Sequence, residues 1–128
     1  MGLDMYAYAV KALPPDKQVD FKLQPEDIVD DNLAYWRKVN ALHGWMHRLY
    51  IRKGGSSKDF NCCNMQLGIA DLDELEADMR ENKLKPVDGF FFGSQEFYEQ
   101  DKQSVYDFIA KARDHIDAGR SVVYHAWF

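Results

Sequence analysis

The chain has 128 residues, which fits one domain, and its apolar share of 46% is enough to build a core. Its formal net charge of -5 argues against a general nucleic-acid binder, since such proteins normally carry a basic surplus. We therefore predict a single domain over residues 1–128 that needs neither a metal nor a disulfide to fold.

The first ten residues predict a β-strand, because apolar residues recur at every second position from Leu3 onwards. Asp4 is unusual in this strand, since a buried carboxylate without a partner is costly. We expect it to pair with Arg37 or His43. Residues 12–27 contain three prolines and predict a surface connection.

A long helix is predicted from near Asn32 to about Lys53, followed by the glycine-serine segment 54–57, which has the composition of a linker. Residues 64–70 alternate in polarity and predict a short strand. A second helix follows, with Asp71 at its start.

We expect Pro86 to end this second helix and Ser94 to cap the third. The apolar residues of the third helix follow helical spacing, and Gly119 stands where a left-handed cap belongs. Residues 121–128 are β-branched and aromatic and predict a final strand. The fold class is therefore predicted as α+β: a small sheet that includes both terminal strands, covered by about three helices.

A polar stripe borders the apolar face of the predicted first helix. At about 100° per residue, Trp36, Asn40, His43 and His47 fall within roughly 60° of one another. One interpretation is a pocket or interface in which Trp36 stacks on a ligand or partner group. The other is that the polar side chains form hydrogen bonds inside the core. The sequence leaves both interpretations open.

His43 is the proton-transfer candidate, because an imidazole titrates near neutral pH. No serine or cysteine nucleophile is tied to it by a motif, so no catalytic residue is predicted and a non-enzymatic role is favoured. The spacing of His43 and His47 is compatible with zinc, with Cys62 and Cys63 as further ligands. Structural zinc sites separate their paired cysteines, however, and we predict neither a metal nor a cofactor.

Adjacent cysteines rarely form a disulfide with each other, and two free thiols are typical of a reducing compartment. The N-terminal residues lack the basic and apolar regions of a signal peptide. No apolar run approaches the roughly 20 residues of a membrane helix. We expect a cytoplasmic protein with no membrane association.

Three segments together carry a resemblance to a known family. They are MGLDMY at residues 1–6, YWRK at residues 35–38 followed by Asn40 and His43, and GFFFGS at residues 89–94. The chain resembles a family of small phage and prophage proteins of unassigned function. The resemblance implies a phage-encoded accessory protein in the cytoplasm of a bacterial host. It also implies a shared role for Asp4, Trp36 and Arg37 with the two helix residues.

The leading functional hypothesis is an accessory protein that binds and modulates a host protein, such as a defence or transcription component. The alternative is a small ligand-binding protein or enzyme with a polar pocket, and a third interpretation is a homodimer joined through the apolar terminal strand. The candidate ligand- or partner-binding residues are Asp4, Trp36, Arg37, Asn40, His43 and His47. Trp45 and Arg48 are further candidate anchors for a protein partner, since interfaces centre on aromatic and arginine side chains.

Overall fold

A computed structural model describes residues 2–85 and 96–128. Within them, a four-stranded antiparallel sheet has helices packed on one face. The elements are β1 (Asp4–Val10), a short 3-10 helix (Pro25–Asp27), β2 (Ile28–Arg37), α1 (Asn40–Arg52), β3 (Asn64–Leu67), α2 (Ile69–Arg80), α3 (Glu99–Asp117) and β4 (Ser121–Trp127). The predicted α+β class is confirmed, with both terminal strands in the sheet and three helices in the described residues.

The strand order is β2-β1-β4-β3, so the first and last strands occupy the centre of the sheet. β1 pairs with β4 along its whole length, from Asp4 opposite Trp127 to Val10 opposite Ser121. A central strand has neighbours on both sides and cannot extend the sheet into a second molecule. The predicted route to a homodimer through β4 is therefore wrong, whereas a dimer through another surface stays a prediction.

The predicted helix over residues 32–53 is wrong in its first third. Residues up to Arg37 belong to β2, where their backbone groups pair with β1, and this pairing overrides the helical spacing of their side chains. The chain then turns at Lys38, which has a φ of 58° and donates its N–H to the Leu3 carbonyl at 2.8 Å. α1 begins only at Asn40.

Other boundaries differ by a few residues. α2 begins at Ile69, and Asp71 lies in its first turn, where its carboxylate accepts the Gly68 N–H at 2.9 Å. α2 ends at Arg80 and α3 begins at Glu99, while Pro86 and the segment 89–94 lie outside the described residues. Gly119 has the left-handed φ of 87° that the sequence predicted. No helix in the described ranges is long and apolar enough to cross a membrane.

Lys53 fixes the end of α1 to the sheet and to α2. Its ammonium donates to the Gln66 carbonyl and to the Asp71 carboxylate, both at 2.6 Å, and to the Gln18 amide oxygen at 2.7 Å. An ammonium has three N–H donors, and here each has an acceptor. Burial of this charge is therefore compensated by full hydrogen bonding.

The glycine-serine segment 54–57 is a packed turn and not a linker. The Tyr50 hydroxyl donates to one Asp20 oxygen at 2.5 Å, and the Ser56 N–H donates to the other at 2.9 Å. Burial would raise the pKa of Asp20, but these hydrogen bonds outweigh it and the pKa is lowered. At Gly55, an added Cβ would lie 2.2 Å from the Tyr50 ring. The segment thus holds α1 against the connection between β1 and β2.

We expect Gly55→Ala to lower the free energy of unfolding by roughly 1–3 kcal/mol, because the new methyl group overlaps a buried ring that cannot move freely. Urea unfolding of both proteins measures this change. Gly68→Ser is the control, since its Cβ meets only the Asp71 carboxylate at 3.8 Å. Equal destabilisation by the two substitutions would contradict the packed arrangement at Gly55.

Candidate functional site

The structure does not bring the predicted binding residues into one pocket. Asp4 and Arg37 lie on the sheet face away from the helices, as cross-strand partners. Trp36 lies on the opposite face, between the sheet and α3. The remaining predicted residues, Asn40, His43 and His47, are buried along α1. The predicted binding residues are thus divided among three environments.

Trp36 belongs to the core. Its indole N–H donates to the Ser104 hydroxyl at 2.8 Å, and its ring meets Phe108 edge-to-face at a centroid distance of 5.1 Å. Trp45 is similarly satisfied, since its indole N–H donates to the Asp78 carboxylate at 2.8 Å. Neither tryptophan is available as an interface anchor in this arrangement.

His43 lies in a buried aromatic cluster and is only 5% exposed. Its ring stacks on Phe60 at 5.5 Å, and its Nδ1 lies 2.8 Å from the Tyr124 hydroxyl. Burial raises the pKa of Tyr124, so its phenol stays protonated. A buried O–H needs an acceptor, and this assigns Tyr124 as the donor and the imidazole proton to Nε2 of His43.

Burial lowers the pKa of His43 to about 3, and the neighbouring His47 adds to the shift. The imidazole is therefore neutral at physiological pH and does not carry the proton-transfer role that its unperturbed pKa offers. Burial also lowers the pKa of His47, against the opposing hydrogen bond with the Lys58 backbone. The role of these side chains in the described structure is to fill the core.

His47 has one feature without an explanation in its surroundings. Its Nε2 is buried and has no hydrogen-bond partner among the described residues, which is costly for a polar atom. A metal would satisfy it, but within residues 2–85 and 96–128 no three potential ligands come together to hold one. Cys62 and Cys63 are both free, the first exposed and the second half-buried.

The sheet face opposite the helices is only half covered. Over β3 and β4 it is closed by the connection that follows β1: the Asn64 side chain donates to the Phe21 carbonyl, and the Ser121 hydroxyl accepts the Leu13 N–H. Val123 is completely buried beneath this connection. Over β1 and β2 no such cover exists among the described residues.

Three tyrosines lie side by side on the uncovered half. The Tyr6 ring lies 6.1 Å from Tyr8 on the same strand and 5.2 Å from Tyr35 across the strand pair. Tyr35 is 50% exposed, and Trp127, which pairs with Asp4, is 57% exposed. We call this surface the tyrosine face, formed by Asp4, Tyr6, Tyr8, Tyr35, Arg37 and Trp127.

A polar group is built into the tyrosine face. Asp4 accepts the Tyr35 hydroxyl at 2.7 Å, and the Arg37 guanidinium Nε lies 3.8 Å from the same oxygen. This confirms the expected pairing of Asp4 with Arg37, while His43 lies on the other side of the sheet. The hydrogen bond to Asp4 raises the pKa of Tyr35, so the phenol stays protonated near neutrality.

Sequence reasoning identified Asp4 and Arg37 but missed the tyrosines and Trp127. The signal was present, because Asp4, Tyr6 and Tyr8 share one face of a strand at a period of two. The aromatic rings of Tyr6 and Tyr8, however, favoured the interpretation that both faces of this strand are buried. Coverage of a sheet face depends on the path of the connection after β1, which the strand pattern does not contain.

Comparisons of the chain with protein-family models, with curated proteins and with solved structures found no match. The function is therefore inferred from the chemistry of the protein's own surfaces.

The buried imidazole of His43 predicts that the protein loses stability in mild acid. Its pKa is about 3 in the folded chain, against about 6.5 when unfolded. Within this window the unfolded chain binds a proton that the folded chain does not. The free energy of unfolding therefore falls as the pH decreases, by up to about 1.4 kcal/mol per pH unit from this group. Urea unfolding at several pH values across the window measures the slope.

His43→Gln provides the comparison, because glutamine offers the Tyr124 hydroxyl an acceptor but does not titrate. Its stability should depend less steeply on pH than that of the unsubstituted protein. His115→Gln, on α3, controls for the removal of an imidazole outside the cluster. Identical slopes for the unsubstituted protein and His43→Gln would show that His43 is not the group responsible.

Proposed function

We propose that the protein is a phage-encoded accessory protein that binds a host protein through the tyrosine face and modulates it. The observation that carries this proposal is the cluster of half-buried and exposed aromatic rings on a sheet face that the described residues leave uncovered. Folded proteins usually bury such rings, and exposed aromatic groups with polar neighbours are typical of interaction sites. The phage origin rests on the resemblance of the three sequence segments.

The composition of the face suits a protein partner. Tyrosine combines a large apolar ring with a hydroxyl, and it loses little conformational entropy on binding because it has few rotatable bonds. Trp127 and Arg37 add the other two side chains that dominate binding energy at interfaces. Arg37 is held towards Asp4, so part of its ordering is already complete before binding.

The alternative function, a ligand pocket or active site formed by the predicted polar residues, finds no support in this geometry. Asp4 and Arg37 are separated from Trp36 by the sheet itself. Trp36 and His43 already have internal partners at hydrogen-bond distance. A pocket would require these side chains to converge on one space.

The test is capture of host proteins from bacterial lysate on the immobilised chain. We expect one protein to be retained in stoichiometric amount by the unsubstituted chain and to be lost with Tyr35→Ala/Trp127→Ala. The two substitutions remove exposed rings and should leave the core intact, which thermal unfolding checks. Mass spectrometry of the retained protein then identifies the host process that is modulated.

Ile51→Ala is the matched control. Ile51 is 59% exposed and lies on α1, on the helical side of the molecule. It should retain the host protein as the unsubstituted chain does. Retention of the same protein by the tyrosine-face variant would refute the proposed surface, and loss with both variants would point to general apolar adhesion.

A further inference from the structure

The β1–β2 pair contains a bulge beside the tyrosine face. The register passes from Ala7 opposite Ala34 to Ala9 opposite Asp30, so residues 31–33 of β2 lie against the single residue Tyr8. The Asp30 carboxylate accepts the Asn32 N–H at 3.0 Å and holds this irregular turn. Bulges of this kind redirect side chains at sheet edges.

The bulge places Asp31 across the strand pair from Tyr8. Leu33 is buried, whereas Asp31 stays exposed. Burial raises the pKa of Tyr8, and Tyr6 and the negative charge of Asp31 add to the shift. Across the described parts of the chain, Asp31 forms no hydrogen bond or ion pair. A phenol ring and an exposed carboxylate thus lie on neighbouring strands at the edge of the face, near enough for the charge of Asp31 to act on Tyr8.

At the other end of the face a tyrosine and a carboxylate also occur together, but there they are hydrogen-bonded and have a cation beside them. There, Asp4 binds the Tyr35 hydroxyl, and the Arg37 guanidinium completes the group at 3.8 Å. At Tyr8 and Asp31 the ring and the carboxylate are present, and no cation of the described residues pairs with Asp31. A guanidinium fits such a pair, because it binds a carboxylate by two parallel N–H bonds and stacks on an aromatic ring.

We infer that the partner inserts an arginine side chain between Tyr8 and Asp31, so that the tyrosine face recognises a basic, arginine-bearing protein segment. This inference rests on the proposed function of the same face. The surrounding charge agrees with it, since the segment 26–31 contributes four acids and no base to this end of β2. A single-stranded nucleic acid would also stack on tyrosines, but its phosphates would meet Asp4 and Asp31.

The probe is a blocked tripeptide with arginine between two glycines, titrated into the isotope-labelled full chain and followed by NMR amide shifts. We expect saturable shifts centred on Tyr8 and Asp31. A matched lysine peptide should bind more weakly by about threefold or more, because an ammonium cannot form the planar two-point contact. A citrulline peptide, which has the same shape without the charge, should not bind.

Asp31→Asn should weaken arginine binding by about tenfold, whereas Asp114→Asn, an equal loss of charge on α3, should leave it unchanged. Arginine shifts that are absent, or equal in the two variants, would overturn the inference. Shifts of the three tyrosines by an oligothymidine instead would assign the face to nucleic acid and overturn it as well.

The host capture experiment distinguishes failure of this inference from failure of the proposed function. If Tyr35→Ala/Trp127→Ala abolishes capture while Asp31→Asn does not, the face binds a host protein without the arginine contact. In that case the inference fails and the proposed function stands. If no host protein is captured through the face at all, the proposed function fails.

Discussion

The antiparallel pairing of β1 with β4 is the constraint on which the other elements depend. It joins the first and last strands over seven residue pairs and places both at the centre of the sheet. The side facing the helices carries small residues, including Ala7, Ala9 and Ala126, all completely buried. Small side chains there let large residues of the helices, such as Met46 and Phe108, approach the sheet closely. The tyrosine face lies mainly on β1 and β2, whose side away from the helices is beyond the reach of the connection that covers β3 and β4.

The sequence was a good guide where a pattern was local. Period-two alternation found β1, the spacing of Val105, Phe108 and Ala112 found α3, and Gly119 was correctly assigned to a left-handed cap. The helix prediction was wrong at residues 32–37, because their side chains are compatible with a helix but their backbone pairs with β1. β1 lies some thirty residues away along the chain, so a pattern among neighbouring residues does not reveal this strand pairing.

The candidate site was harder to predict than the fold for the same reason. The cost of a lone carboxylate predicted a partner for Asp4, either Arg37 or His43, which is a local argument about one residue. The exposure of Tyr35 and the burial of His43 depend on how the layers pack: Tyr35 lies on a sheet face without cover from the described residues, whereas His43 packs from α1 against Phe60 and against Tyr124 of the sheet. Polar residues at helical spacing therefore looked like a site, although the imidazole of His43 is a core group bound to Tyr124.

The connection over β3 and β4 also limits the size of what can bind. Within the described residues, covering half of the sheet leaves a strip formed mainly by β1 and β2, roughly 10 Å across and about 15 Å along the strands. A standard protein interface occupies about 800 Å² on each partner, several times the area of this strip. A broad, flat partner surface would touch mostly the rim of such a footprint. An extended loop or tail, laid along the strip one residue at a time, matches its dimensions.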